Sequence, residues 1–221
     1  MEWERARKPE QKAVRRDAIL QAARELFLEL EYDEISLNGI AREAGFSKPN
    51  VYRYFSTREE IFLSIFQEEQ CRFADALVRR LRRIQAKDPV NAIAKVWVEE
   101  AVKHRTWLDL LPQLATSVER NSSVNQILEF KKSGYEHFDK LVETLQELYP
   151  ALDVAGWVSV TQCVYSMMAG LWAHANPGEN VLEAMQHPDL EGRQWDFSAV
   201  LKEGIAALIR GTELRGRTVA T

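Results

Sequence analysis

Residues 48–55 carry the side chains in this sequence that are best suited to contacting a nucleic acid. On a helix that turns by about 100° per residue, Val51 and Phe55 fall on one apolar face. The opposite, polar face consists of Pro49, Asn50 and Arg53, with Lys48 and Tyr52 on one flank and Tyr54 on the other. Arginine can bind guanine through two hydrogen bonds, asparagine can pair with adenine, and lysine or tyrosine can hold phosphates. This face therefore predicts a helix that reads the major groove of DNA.

Two short helices joined by a sharp turn are predicted to position this face. The first has apolar residues at helical spacing, namely Leu37, Ile40, Ala41 and Ala44. Ser36 can cap its start, and Gly45 can end it in the left-handed conformation. Ser47 is expected to cap the second helix, with Pro49 in its first turn, where a missing N–H costs nothing. The short break predicts a helix-turn-helix, although an ordinary helical hairpin would share the same pattern.

Five segments between residues 19 and 61 have the order and spacing of a known family. They are IleLeuGlnAlaAlaArgGluLeuPhe at 19–27, IleAlaArgGluAlaGly at 40–45, Ser47, TyrArgTyrPhe at 52–55 and ArgGluGluIle at 58–61. This region resembles the DNA-binding domain of TetR-family transcriptional regulators. Arg58 stands where the family usually has lysine and keeps the positive charge for a phosphate. With the helical wheel, the resemblance implies DNA contacts by Ser36, Ser47, Lys48, Pro49, Asn50, Tyr52, Arg53, Tyr54 and Arg58.

Length and charge favour two domains with different roles. The chain has 221 residues, 46% of them hydrophobic, which is enough to bury a sizeable core. Its net charge of −4 argues against a protein that coats nucleic acids generally. We predict a DNA-binding domain with its N-terminal arm at 1–58 and an effector-binding and dimerisation domain at 59–221. The arm carries Arg5, Arg7, Lys8 and Lys12 and is either a solvated tail or a contact to DNA.

The hydrophobic pattern outside the helix-turn-helix predicts an all-α protein. Amphipathic stretches occur at 13–30, 58–86, 90–105, 107–119, 123–148, 151–174 and 196–213. Prolines 112, 150, 177 and 188 separate the later stretches. No useful strand-like alternation is present in the sequence, so we expect a three-helix head and a larger helical second domain.

The 151–174 stretch is apolar or small on every side, which predicts burial on both faces. A membrane span is the alternative, but polar residues interrupt the run, namely Asp153, Ser159, Thr161, Gln162 and His174. The resemblance implies that the last two long helices form a four-helix homodimer interface with their copies. Gly170 and Gly204 would allow these helices to approach closely. We therefore expect a homodimer, no membrane association and a cytoplasmic location.

Aromatic, sulfur-containing and polar residues of the second domain indicate a pocket for a small-molecule effector. The candidate lining is Trp97, His104, Trp107, Phe138, Gln162, Tyr165 and Met168. For each residue taken singly, packing in the core is the more common role. The resemblance supports the pocket as a whole more strongly than any one residue does.

The sequence contains no motif typical of an enzyme active site or of a metal site. The four histidines lack HExxH and ExxH spacing, and neither a GxSxG elbow nor a glycine-rich phosphate loop is present. Cys71 and Cys163 are far apart and predict neither a disulfide framework nor a zinc site. We therefore expect no catalytic residue, metal or cofactor. The predicted function is a homodimeric regulator released from a palindromic DNA operator by an apolar or amphipathic effector; the alternative is a helical adaptor without operator binding.

Overall fold

The computed structural model describes residues 9–190, 192–193 and 195–219. Every regular element within these ranges is helical, which confirms the predicted all-α class for the described part of the chain. Of the predicted N-terminal arm, Arg5, Arg7 and Lys8 lie outside the described residues, whereas Lys12 is exposed on the first helix.

Ten α-helices follow one another in the described ranges. They are α1 (Pro9–Glu29), α2 (Leu37–Glu43), α3 (Lys48–Val51), α4 (Arg58–Leu81), α5 (Val90–Ala101), α6 (Arg105–Gln113), α7 (Val124–Leu148), α8 (Val154–Ala175), α9 (Glu179–Ala184) and α10 (Phe197–Val219). A π-helix at Leu114–Val118 and short 3₁₀ turns at Tyr32–Glu34, Glu119–Asn121 and Pro188–Leu190 complete them.

Helix limits differ from the sequence prediction at several places; α1 begins at Pro9 rather than 13, α5 ends at Ala101 rather than 105, and α10 ends at Val219 rather than 213. α4 ends at Leu81 rather than at 86, because the chain tightens there and the Ile84 N–H donates to the carbonyl three residues earlier. The predicted 107–119 helix is interrupted, since α6 ends at Gln113 and continues as a π-helix. Pro112, inside α6, has no N–H to donate, which weakens the regular pattern at this point. α9 was not predicted.

The chain forms two compact units, and each of them is built from two separate segments of the sequence. The first contains the chain up to Glu68 together with 114–131, and the second contains 69–113 and the chain from Lys132 onward. The predicted boundary between residues 58 and 59 falls at the start of α4, whereas the compact units divide inside that helix. α4 and α7 each begin in the first unit and end in the second.

Aromatic rings fill the interior of the first unit. The Phe62 ring lies 5.4 Å from that of Phe27 and 5.1 Å from that of Tyr32, both in edge-to-face geometry. Segment 114–131 joins this unit through further contacts. Phe130 packs edge-on against Phe66 at 5.8 Å, and the Thr57 hydroxyl donates to the Asn121 carbonyl at 3.2 Å. On α1, Ile19, Leu20, Ala22 and Ala23 are buried, whereas Leu26 and Phe27 are half-buried and Leu30, just after the helix, is exposed.

The second unit is built around α10, which packs against α5 and α8, while α6 packs against α8. Large side chains fill its core, including the fully buried Trp97, Trp107 and Trp157. A Cβ atom added at Gly204 would lie 2.2 Å from Met167 Cε, so this glycine permits close packing of α10 on α8 within one chain. Packing within one chain is therefore enough to explain why position 204 is a glycine. Its predicted role in the approach of a second chain stays a prediction.

α8 buries one face within the chain and exposes the other. Trp157, Val160, Val164 and Met168 are buried, whereas Gly170 and Ala173 are exposed. The helix is long and apolar enough to cross a membrane by length and composition, and 28% of its most apolar window is buried within the chain. Such a helix is weak evidence for a membrane span. Within one chain α8 is buried on one face only, and burial of the small-residue face by a second copy stays a prediction.

Candidate DNA interface and effector site

The turn between α2 and α3 has the geometry that its sequence predicts. Ser36 caps α2, and its hydroxyl oxygen accepts a hydrogen bond of 3.0 Å from the Gly39 N–H. Gly45 has a φ of 69°, the left-handed conformation that favours glycine. The next residue closes the turn, because the Phe46 N–H donates to the Ala41 carbonyl at 2.9 Å. These contacts fix the direction in which α3 leaves the turn.

Ser47 precedes α3, but its side chain forms no capping hydrogen bond. The Asn50 N–H instead donates to the Ser47 carbonyl oxygen at 2.8 Å. The predicted side-chain cap is therefore wrong, and the exposed Ser47 hydroxyl is not used to hold the helix. Its predicted contact to DNA stays a prediction.

The predicted polar face is present, but the helix predicted over 48–55 is shorter, because α3 ends at Val51 and residues 52–54 form a turn. Val51 is 0% exposed and Phe55 is 2% exposed, which confirms the buried side of the wheel. The outward residues are Lys48, Pro49, Tyr52 and Arg53, which are exposed, and Asn50 and Tyr54, which are half-buried. Lys48 Nζ lies 5.7 Å from the centre of the Tyr52 ring. Arg53 forms no side-chain hydrogen bond or ion pair within the described ranges, so its guanidinium is available to a partner.

Arg58 occupies a different environment from Arg53. Its Nη1 donates to the carbonyl oxygens of Tyr32 at 2.9 Å and Ile35 at 2.6 Å, and lies 3.4 Å from the Asp33 carbonyl. The Arg58 Nε donates to Glu59 Oε1 at 2.8 Å. Its guanidinium carbon lies 4.6 Å above the Tyr32 ring, and the side chain is 21% exposed. These contacts tie the start of α4 to the loop that leads into α2.

The electrostatics around Arg58 keep it charged. Burial is the largest influence on its pKa and lowers it, but the hydrogen bond to Glu59 and the nearby negative groups outweigh burial and raise the pKa overall. Burial has the opposite effect on the neighbouring Tyr32 phenol and raises its pKa, since burial disfavours the phenolate; Tyr32 is 4% exposed. Contact between Arg58 and a DNA phosphate stays a prediction. In this structure the hydrogen bonds of Arg58 stabilise the DNA-binding head.

Three of the seven predicted effector residues meet in one aromatic cluster of the second unit. The Trp107 ring stacks on Phe73 at 4.3 Å and meets Tyr165 edge-on at 5.8 Å. His104 also lies edge-on to Phe73, at 5.8 Å. The other predicted residues are distributed differently: Trp97 and Met168 are fully buried, Phe138 is half-buried and Gln162 is exposed on α8. An exposed Gln162 does not line an interior site within one chain.

His104 belongs to an ion network that the sequence reading did not identify. Its Nε2 lies 3.4 Å from Glu100 Oε1, and its Nδ1 lies 4.0 Å from Glu69 Oε2. Arg80 and Lys103 each contact Glu100 Oε2 at 3.0 Å. Burial is the largest influence on the Glu100 pKa and raises it, but these hydrogen bonds outweigh burial and lower the pKa overall. His104 therefore serves this network, and the helical spacing of 100, 103 and 104 is the signal that could have revealed it.

Within the described ranges, no group of three or more histidine, cysteine or acidic side chains could hold a metal ion. A helix-turn-helix with an exposed basic and phenolic face, followed by a larger helical unit, defines a DNA-binding transcriptional regulator.

Comparison with known families places the chain more closely. Residues 67–216 match the tetracyclin repressor-like C-terminal domain, and residues 19–65 match the tetR family of bacterial regulatory proteins. The chain belongs to the TetR family.

Similar proteins include several regulators. The chain is 38% identical over 69 residues to the HTH-type transcriptional activator FasR of Mycolicibacterium smegmatis, a match that covers 31% of this chain and 30% of FasR. It is 25% identical over 136 residues to the fatty acid metabolism regulator protein of Bacillus subtilis, covering 61% of this chain and 62% of that protein. The chain thus spans less than two thirds of these curated relatives.

Solved structures show the same fold. Thermus thermophilus FadR, a TetR family transcriptional repressor in complex with lauroyl-CoA, has a TM-score of 0.58 and 18% identity over 89% of this chain and 94% of that one. Bacillus subtilis FadR in complex with stearoyl-CoA has a TM-score of 0.53 and 16% identity over 88% and 98%.

Proposed function

We propose that the protein is a homodimeric repressor that binds a palindromic operator and is released from it by a fatty-acyl effector. The exposed face of the helix-turn-helix carries this proposal, because Arg53, in the turn after α3, has no side-chain hydrogen bond or ion pair with the described residues. The buried Val51 and Phe55 hold this segment in place. The cytoplasm is the compartment where a bacterial regulator meets its DNA. Transcription factors of this class act by binding, so no enzymatic step is proposed.

Operator binding is tested by fluorescence anisotropy on palindromic DNA from beside the gene, against random duplex, at several salt concentrations. Tight and selective binding by a dimer supports the regulator. Equal, weak binding to every duplex obtained by genome-wide fragment selection would instead support a helical adaptor of the same fold. The free Arg53 and exposed Lys48 favour the regulator over that adaptor.

The dimer is proposed to form through α8 and α10. One recognition helix reads too few bases, and a two-fold pair reads half-sites about 34–36 Å apart. The uncovered small-residue face of α8 supports this assembly, because small residues allow helices to approach closely. Gly170 lies on this face, and a Cβ atom added there would meet no atom of its own chain within 4 Å.

Gly170→Arg is expected to dissociate the dimer while leaving the protomer folded. The substitution places a charge in the proposed interface but strikes nothing within its own chain. Sedimentation velocity should show a shift from dimer to monomer at micromolar concentration. Ala86→Arg, on an exposed position after α4, is the matched control and should stay dimeric. A Gly170→Arg protein that remains fully dimeric would place the interface elsewhere.

A fatty-acyl effector is proposed because relatives of this chain regulate fatty acid metabolism or were solved with acyl-CoA thioesters. The aromatic cluster of Phe73, Trp107 and Tyr165 gives the second unit an apolar wall for such a chain. α4 and α7 run from the first unit into the second and are the candidate links between effector and operator. An effector acts only through different affinities for the DNA-bound and free states.

Lauroyl-CoA is expected to release the protein from its operator, whereas CoA without an acyl chain should not. Burial of the acyl chain supplies the binding energy, about 0.8 kcal/mol for each buried CH₂. The measurement is loss of fluorescence anisotropy of labelled operator during titration with each compound, and lauric acid is titrated in parallel. Release by CoA alone, or by none of these compounds, would contradict the acyl proposal but leave operator binding untouched.

A further inference from the structure

The C-terminal end of α4, in the second unit, carries a cluster of basic side chains. Its members are Arg79, Arg82, Arg83 and Lys87, and all of them are exposed. Within the described ranges, none of the four forms a side-chain hydrogen bond or an ion pair. Positive charge is favoured at the C-terminal end of a helix, so the cluster does not need an acidic partner in order to fold. These side chains are therefore available to an anion.

The acidic side chains around this end of α4 already have partners of their own. Glu99 and Glu100, both on α5, form ion pairs with Arg80, which lies within the basic stretch but is half-buried. Two further pairs are Asp75 with Lys140 at 3.2 Å and Asp88 with Arg210 at 3.5 Å. The positive charge of the cluster is therefore not neutralised by the described part of the chain.

The arginines of the cluster lie on different sides of α4. At about 100° per residue, Arg83 lies about 80° around the helix from Phe73, whereas Arg82 lies about 180° from it. Arg79 and Arg83 are four positions apart, which makes them neighbours on the helix surface. Two like charges at this spacing repel each other, and an anion bound by both of them would remove that repulsion. Arg79 and Arg83 thus form a pair on one side, and Arg82 lies opposite Phe73.

The distance from Phe73 to this pair matches the arm of a CoA thioester. Phe73 stacks on Trp107 in the apolar wall proposed for the acyl chain. A rise of about 1.5 Å per residue places Arg79 about 9 Å and Arg83 about 15 Å further along α4. The pantetheine arm joins the thioester to the first phosphate through about twelve bonds, as many as in about four residues of extended chain, or ~13–14 Å. A thioester at the aromatic wall therefore brings its phosphates to the two arginines.

We propose that Arg79 and Arg83 bind the phosphate groups of an acyl-CoA effector whose acyl chain lies against the wall of Phe73 and Trp107. A guanidinium can donate two parallel hydrogen bonds to one phosphate, so two of them suit a diphosphate. A free fatty acid lacks this group and gains nothing from the pair. The inference rests on the proposed acyl effector and adds the residues that recognise the CoA part of it.

Calorimetric titration of the full-length protein with lauroyl-CoA and lauroyl-pantetheine tests the inference. The two probes share the acyl chain, the thioester and the arm, but only lauroyl-CoA carries phosphates. The wild-type protein should bind lauroyl-CoA about tenfold more tightly at low salt, as expected for a few exposed charge-assisted contacts. This preference should decrease at high salt, because ion pairs at the surface are screened. Lauroyl-phosphopantetheine, which has a phosphate but no adenosine, should also bind more tightly than lauroyl-pantetheine.

Charge reversal at two adjacent positions gives a matched pair of variants. Arg83→Glu should bind lauroyl-CoA and lauroyl-pantetheine with similar affinity, and Arg79→Glu should behave in the same way. Arg82→Glu makes the same change of charge on the opposite side of α4 and should keep the wild-type preference. All three side chains are exposed and have no described side-chain hydrogen bond or ion pair, so thermal unfolding of the variants should stay close to that of the wild type.

Two results would overturn the inference. One is an equal preference for lauroyl-CoA in the Arg83→Glu and Arg82→Glu proteins, since the effect would then not depend on the side of the helix. The other is a wild-type protein that does not distinguish lauroyl-phosphopantetheine from lauroyl-pantetheine, because the phosphate would then contribute nothing to binding.

Release of operator DNA from the wild-type protein distinguishes this inference from the proposed function. If lauroyl-pantetheine releases the operator at the same concentration as lauroyl-CoA, the acyl-controlled regulator stands and the phosphates have no part in recognition. If the preference for lauroyl-CoA depends on Arg83 but no acyl compound releases the operator, the pair binds acyl-CoA and the proposed control of DNA binding fails.

Discussion

Arg53→Ala is expected to weaken operator binding by about 1–3 kcal/mol and to reduce the preference for operator over random duplex. Arg53 is exposed in the turn that follows α3 and forms no side-chain ion pair or hydrogen bond in the described part of the chain. Its guanidinium can therefore turn toward a guanine without first breaking a contact. Fluorescence anisotropy on operator and random duplex, each at several salt concentrations, gives both the affinity and the specificity ratio.

Two control variants separate base reading from charge. Arg53→Lys keeps the positive charge but loses the planar fork, so it should recover binding to random duplex without recovering the preference for operator. Arg82→Ala removes the same charge at an exposed position after α4 and should leave both affinities close to wild type. Equal losses on operator and random duplex for Arg53→Ala would show that Arg53 contacts phosphates rather than bases.

The DNA-binding head follows closely from its sequence, because its determinants are local. Gly45 ends α2 through a conformation that glycine adopts freely, and its φ of 69° confirms the expected turn. Val51, the last residue of α3, and Phe55, after the turn that follows it, are buried on one side of a segment whose other side is polar. Residues this close in sequence interact whatever the rest of the chain does.

The contacts that the sequence did not reveal join residues far apart along the chain. Segment 114–131 belongs to the first unit through pairs such as Thr57 with Asn121, which are separated by 64 positions. The missing Ser47 cap has a different cause. The Asn50 N–H, which the Ser47 hydroxyl was expected to bind, donates to the Ser47 carbonyl oxygen instead. Periodicity predicts which face is buried but not which partner it meets.

Arg58→Ala is expected to destabilise the DNA-binding head by about 2–3 kcal/mol, since it removes charge-assisted hydrogen bonds to the carbonyls of Tyr32 and Ile35. In Arg58→Ala the two carbonyl oxygens no longer accept a hydrogen bond from the guanidinium. The ring of Tyr32 also loses the guanidinium that packs on it. For a chain of this size the loss corresponds to roughly 4–12 °C in the midpoint of thermal unfolding. Circular dichroism at increasing temperature, with and without operator DNA, measures it.

A phosphate-binding role for Arg58 predicts a different result. If the guanidinium mainly contacts DNA, Arg58→Ala should unfold at the wild-type temperature and lower the salt dependence of binding by about one phosphate contact. Arg58→Lys sharpens the comparison, because an ammonium keeps the charge that a phosphate needs but lacks the fork that reaches several carbonyls together. If Arg58 mainly stabilises the head, Arg58→Lys should restore little of the thermal stability that Arg58→Ala loses. If Arg58 mainly contacts a phosphate, Arg58→Lys should restore DNA binding. The outcome therefore decides whether Arg58 contacts DNA or stabilises the DNA-binding head.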